Sequence, residues 1–356
     1  MRINNVILQF KLLIILALIY CCATNLLAGE NLIGKVTLVY KPYKDTVRLA
    51  KAQVYDLNSS ESVLFYKPRP FEFIKNVPSD LALFGKAVVA KKNLPALGLL
   101  VGSTAVLIAF DQPLLDAAQQ FGRFIHLDAS HKFNRVSINI GSLKAPLVDV
   151  PQNLNSALYF IGEGWPSILV AGGFFGYGIF KDDYRARQTS SELTEMFFTL
   201  AITCQTLKRV AGRQSPMNSS TPGGEWHPLT NPSVYAGNVS NFDAFPSGHL
   251  ATVMATITIL SGNYPDNKYI KPVGYSLMGL VGYAMMNNGV HWAGDYPIAI
   301  AIGYTCGKIA LNRGKKNIHK KSTITDYKPK VTGCTSSLMP LFFGQSGYGL
   351  SYRLTF

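Results

Sequence analysis

The sequence predicts an all-α protein: a helical bundle of about six helices, with an irregular N-terminal region before it and a short strand-like tail after it. Between residues 94 and 311 the chain breaks into apolar runs of helix length, at 94–110, 157–180, 190–212, 249–262, 271–290 and 296–311. Polar or Pro/Gly-rich stretches separate them, the longest being 213–246. Outside this region the texture differs. Residues 30–93 are mixed and polar, with short alternating runs such as "KVTLVYKP" broken by Pro42, Pro68, Pro70 and Pro78, so irregular or short-stranded structure is expected.

Taken in order, the chain begins with a targeting segment. Arg2 supplies a positive start, "FKLLIILAL" an apolar centre and "CCATNLLAG" small residues, so residues 1–29 read as a signal peptide or an N-terminal anchor. Cleavage after Ala23, Ala28 or Gly29 fits equally. In either form the chain is exported to the cell envelope. Domain limits follow: an N-terminal region at 30–93, a helical domain at 94–312, and a basic tail with a strand-like end at 313–356. That end, "SGYGLSYRLTF", alternates as a short edge strand or docking tail does.

The first helical run, "LPALGLLVGSTAVLIAF", stops at Asp111-Gln112-Pro113. The third carries Ser190 or Ser191 ahead of Glu192 and Glu195, and closes on Lys208, Arg209 and Gly212, in keeping with the charge preference of helix ends. A span needs about 20 apolar residues, and several of these runs are short or carry Gly, Glu or Asn. Helices that cross a bilayer and a fully exported bundle both remain open, and with a non-spanning 94–110 the 213–246 loop faces outward.

Composition narrows the partners. Of 356 residues 48% are hydrophobic, the formal net charge is +14 and the mean hydropathy is +0.15. Such a basic chain suits an anionic partner: a membrane surface or a phosphorylated substrate. Basic residues are scattered apart from a tract near 313–321, and no nucleic-acid-binding signature is present. After removal of the leader, Cys204, Cys306 and Cys334 remain, an odd number without Cys-x-x-Cys spacing, which argues against a disulfide framework or a zinc site. His126 and His131 read as ordinary loop residues.

Three short motifs carry chemistry. "FPSGHLATV" sets Pro246-Ser247-Gly248-His249 before an apolar helix. The free N–H groups of that first turn make an anion seat, with Gly248 allowing close approach and His249 at the rim. "NNGVHWAGDYP" places His291 and Asp295 four apart, on one face if helical, so the carboxylate fixes the imidazole tautomer and leaves Nε2 as nucleophile or base. "LKRVAGRQSP" offers Lys208 and Arg213 for an anion at a helix end.

In this order and spacing the motifs resemble the phosphatidic acid phosphatase type 2 / haloperoxidase superfamily, with signature Lys-x6-Arg-Pro, Pro-Ser-Gly-His and Ser-Arg-x5-His-x3-Asp. The resemblance covers about residues 155–311. It implies His291 as the nucleophile forming a phosphohistidine, Asp295 as its holder, and His249 as general acid. Lys208, Arg213, Ser247 and Gly248 would bind phosphoryl oxygens. No metal or other cofactor is implied for phosphate transfer; the haloperoxidase branch holds vanadate in the same pocket. Two positions depart from the pattern: Ser215 stands where the first motif has its arginine, and Ala284-Met285 replaces Ser-Arg. Two lost charged hydrogen bonds correspond to on the order of 3–6 kcal/mol, or two to four powers of ten in rate. Arg213, Asn287 and Asn288 are candidates to compensate. The expected function is a phosphatase of the envelope, periplasmic or at the inner membrane with its site outward, acting on a phosphomonoester or pyrophosphate of a lipid or small ester. The alternative is a silent scaffold or anion-binding protein with the same fold.

Overall fold

The computed structural model describes residues 52–57, 61–140, 143–319, 335–343 and 347–355. The leader and residues 30–51 lie outside these, as do Cys21, Cys22 and Cys334. The described chain is mostly helical. It opens with strands β1 (Ala52–Asp56) and β2 (Glu61–Tyr66), then helices α1 (Glu72–Lys75), α2 (Val77–Val89), α3 (Leu94–Ala109) and α4 (Asp111–Phe124). A hairpin of β3 (Phe133–Ile140) and β4 (Leu143–Pro151) follows. The bundle continues with α5 (Leu154–Ile161), α6 (Gly164–Phe180), α7 (Tyr184–Ala211), short α8 (Pro232–Gly237), α9 (Gly248–Asn263), α10 (Ile270–Asn287) and α11 (Tyr296–Leu311). Strand β5 (Lys315–His319) returns to pair antiparallel with β2, completing the order β1-β2-β5. The C-terminal strand β7 (Gly347–Thr355) pairs with β6 (Thr335–Phe343) rather than standing alone.

Four elements differ from expectation, each for a local reason. Residues 72–89, expected to be irregular or short-stranded, form α1 and α2; Pro78 sits in the first turn of α2, where its missing N–H costs nothing. Residues 111–124, expected to be a polar connection, form α4. Its buried set Asp111, Leu114, Leu115, Ala118 and Gly122 recurs at helical spacing, and Pro113 falls in the tolerant first turn. The 157–180 run is two helices, α5 and α6, broken at Gly162 and Glu163, where the Glu163 backbone is extended. A methyl group at Gly162 would stand 2.7 Å from His249 Cβ, so the break lets α5 and α9 close on each other.

The fourth difference is the start of α7. The helix opens at Asp183, whose side chain accepts from Ala186 N–H, a full turn and more before Ser190. The serine and glutamates that resembled an entry signal lie inside it: Ser190, Glu192 and Glu195 are buried, and Glu192 accepts from Asn263 at 2.6 Å. The far end behaves as the sequence indicates, with Gly212 at φ +60 and its N–H on the Lys208 carbonyl.

The core lies among α7, α9, α10 and α11, where Leu193, Met196, Leu250, Met254, Val281 and Ile302 pack together. Cys204 and Cys306 are buried free thiols. This packing brings the C-terminal ends of α7 and α10 and the N-terminal ends of α9 and α11 to one end of the bundle. The three motifs therefore meet there.

Candidate functional site

His291 and Asp295 are not on a continuous helix. His291 lies between α10 and a 3-10 turn, Ala293–Asp295, that leads into α11. The turn still brings the pair together: His291 Nδ1 is 3.3 Å from Asp295 Oδ2, and the same oxygen accepts from Trp292 N–H at 2.8 Å. Both residues are buried. The Asp295 carbonyl accepts from Ser247 N–H at 3.1 Å, which ties the third motif to the second.

Ser247 caps α9, its Oγ accepting from Leu250 N–H at 3.4 Å, so Gly248 and His249 occupy the first turn. The His249 ring lies 6.0 Å from the His291 ring and 4.2 Å from the Tyr159 ring. Its Nε2 is shielded from solvent and has no hydrogen-bond partner among the described residues. Burial, and then the proximity of His291 and of the Lys208 ammonium, hold the His249 imidazole well below its usual pKa. Lys208, at the end of α7, is buried and bonds Asp243 at 3.2 Å.

Arg213 is placed differently from expectation. Its guanidinium is fully buried: Nη1 donates to Asp295 Oδ1 at 2.8 Å, and Nη2 donates to Asp111 Oδ2 at 2.5 Å and to the Gly223 carbonyl at 2.7 Å. Among the described residues, Nε has no partner. The arginine faces the back of the Asp295 carboxylate, with the indole of Trp292 5.4 Å away. Asp111 also accepts from Gly294 N–H at 2.7 Å. Burial pushes the Asp111 carboxyl up to about 6 against the lowering pull of Arg213.

The two positions that lack arginine are closed. Ser215 is buried, and Met285 packs in the core with its Sδ 3.7 Å from Ser247 Oγ. Asn287 donates to Asn155 of α5 at 2.9 Å, and Asn288 Oδ1 accepts from Val290 N–H within its own loop. In the 213–246 loop, His227 pairs with Glu225 at 3.3 Å and Trp226 packs on Phe245.

Three residues that motif reading did not select stand at the site. Asp111 comes from α4, whose start is the polar end of an apolar run. Tyr159 comes from α5 and shields His249. His131, expected to be an ordinary loop residue, sits 4.8 Å from the Tyr159 ring with Nδ1 3.4 Å from Asn288 Nδ2, and burial lowers its pKa. A histidine beside Phe133 in a strand-like run was the available signal. Nearby Glu163 is pushed up to about 7, first by burial and then by the Asp149 charge.

No curated protein sequence matches the chain. Among solved structures, a crystal structure of Aquifex aeolicus LpxE is similar at 20% identity, over 44% of this chain and 82% of that one, with a TM-score of 0.33. A family model matches from Glu192 in α7 to Ile318 in β5, a segment that contains Lys208, Arg213, Ser247, His249, His291 and Asp295. That model is the one for the PAP2 superfamily, and residues 192–318 of this chain match it.

Proposed function

We propose that this protein is a membrane-associated phosphatase of the cell envelope that hydrolyses a phosphomonoester or pyrophosphate, lipid-linked, through a phosphohistidine. The observation that carries this reading is the facing pair: His291 backed by Asp295, with His249 at the entry of α9 and 6.0 Å between the rings. The match of residues 192–318 to the PAP2 superfamily supports phosphatase chemistry in general; the route and the substrate are our reading.

In the first step His291 Nε2 attacks phosphorus while Nδ1–H stays on Asp295. The bond from phosphorus to the leaving oxygen breaks, and His249 gives that oxygen a proton. In the second step water attacks phosphorus, His249 takes its proton, and the P–N bond breaks to release phosphate. The first-turn N–H groups of α9 and the Lys208 ammonium are the groups we assign to the phosphoryl oxygens. Arg213 we assign to holding Asp295 instead. A bound phosphate dianion opposes the Lys208 charge that helps to depress His249, so substrate itself helps to load the acid.

Exposed apolar side chains support the membrane part. Leu99, Val106, Leu169, Phe175, Val273 and Leu280 are each more than two-fifths exposed, on α3, α6 and α10. Segment Lys91–Ala109, with mean hydropathy 1.4, is long and apolar enough to cross a bilayer.

The test is phosphate release by the purified full chain from lipid phosphates, lipid pyrophosphates and an aryl phosphate, beside His291→Ala. Turnover that vanishes in the variant is expected, and the preferred substrate names the class. Burial of Ser215 and Met285 where the family motif has arginines favours a second reading, a silent anion-binding scaffold. Absence of release from every substrate by folded protein would select it. Halide oxidation that requires added vanadate would place the chain with the haloperoxidases.

A further inference from the structure

We infer that Asp111 is a positioning residue of the site, acting through Arg213 on Asp295 and so on His291; this rests on the phosphohistidine reading above. Asp111 lies outside the segment matched by the family model, on a helix the motifs do not include. It is nonetheless as deeply placed as the machinery: the Asp111, Arg213 and Asp295 side chains are all fully buried.

The geometry sets up a charge problem. Asp295 Oδ2 serves His291 and Trp292 N–H, while Oδ1 is taken by Arg213. A carboxylate paired with a guanidinium is nearly neutral to its other neighbours. That matters for His291, because a ring phosphorylated on Nε2 with Nδ1 still protonated carries a positive charge. Asp111 restores the missing negative unit. Its Oδ2 shares the Arg213 guanidinium, so two carboxylates face one cation and a net negative charge stays beside His291. Its Oδ1 holds Gly294 N–H, fixing the 3-10 turn that carries Asp295. A methyl group at Gly294 would stand 2.9 Å from Asp111 Oδ2 and 2.6 Å from Ile108 Cγ1, which leaves only glycine room for this close approach.

Asp111 is thus coupled to the reaction by charge as well as by shape, and the two are separable. Asp111→Asn keeps an acceptor for Gly294 and removes the charge. With 4-nitrophenyl phosphate we expect kcat to fall by about ten- to a hundredfold, with KM nearly unchanged and the pH profile altered. Arg213→Gln and the double variant complete a cycle: without the Arg213 cation, burial keeps the Asp111 carboxyl protonated and uncharged, so adding Asp111→Asn is expected to change nothing further. A purely structural Asp111 would cost the same in both backgrounds, and that result would overturn the inference.

A second readout needs no turnover. In histidine-labelled protein in detergent, the His291 Nδ1–H resonance is expected to move in Asp111→Asn and to coincide in Arg213→Gln and the double variant. An unmoved resonance in folded Asp111→Asn would also overturn it. An inactive wild type with a moved resonance would count against the phosphatase reading alone. If Asp111→Asn fails to fold, Arg213→Gln and the double variant still decide: equal resonances support the inference and unequal ones defeat it.

Discussion

At the scale of single residues the site turns on the protonation of His249. Its ring is shielded by Tyr159 and held below the usual imidazole pKa by burial and by the proximity of His291 and Lys208. A group with a depressed pKa is protonated only on the acid side, so in the proposed mechanism the acid form that protonates the leaving group is lost as pH rises. We therefore expect kcat/KM to decline from mildly acidic towards alkaline pH. His249→Gln should lower the rate on an alkyl phosphate by about two to four powers of ten, and much less on an electron-poor aryl phosphate that leaves without a proton. Equal losses on both substrates would remove His249 from the acid role. The histidines and Asp295 were legible because their chemistry fixes their spacing. Arg213 was legible as a charge but not as a partner, because the sequence does not show which carboxylate lies beside it. Asp111, about a hundred positions upstream, could be paired with Arg213 only by tertiary packing.

At the scale of elements, α9 and α11 set the register of the site, since α9 starts at Ser247-Gly248 and α11 follows Asp295. They approach closely through small residues. A methyl group at Gly303 would stand 2.2 Å from the Ala251 carbonyl oxygen, and one at Gly307 would stand 3.0 Å from that of Ala255. Backbone cannot yield as a flexible side chain does. Gly303→Ala should therefore destabilise the fold by about 1–3 kcal/mol through overpacking, and spread the His249 and His291 rings. A lower Tm together with reduced kcat checks both parts; an unchanged Tm would mean that the helices are not held by this contact. The four-residue spacing of Gly303 and Gly307, like that of Ala251 and Ala255, is visible in the sequence. What it cannot give is which two helices share it. The same limit explains α4 and α7. A proline after an aspartate resembled a helix end at 111–113, and buried Ser190, Glu192 and Glu195 resembled a helix start. Local patterns at helix entries and at buried polar networks look alike until the partner, here Asn263 for Glu192, is known.

At the scale of the whole molecule, the site occupies one end of the bundle and lysines occupy turns at the other. Lys91, Lys92, Lys181, Lys268 and Lys271 are all exposed there, between helices whose sides carry exposed leucine, valine and phenylalanine. Apolar sides with charged turns suit a protein whose sides meet lipid tails and whose lysines meet anionic headgroups. The two attractions respond to different treatments. Headgroup attraction is screened by salt, because the Debye length shrinks to about 3 Å at 1 M ionic strength. Burial of apolar side chains in lipid is not, and is reversed only by detergent. We expect the full chain to stay with membranes through high-salt and alkaline washes and to enter solution with mild detergent. Replacing the five turn lysines by glutamine should leave this retention intact while lowering the preference for vesicles rich in anionic lipid over neutral ones. Release of the unaltered chain by salt alone would mean that the apolar sides are covered by something other than lipid. A membrane-bound phosphate substrate would then have to reach the site from a different surface than the one proposed.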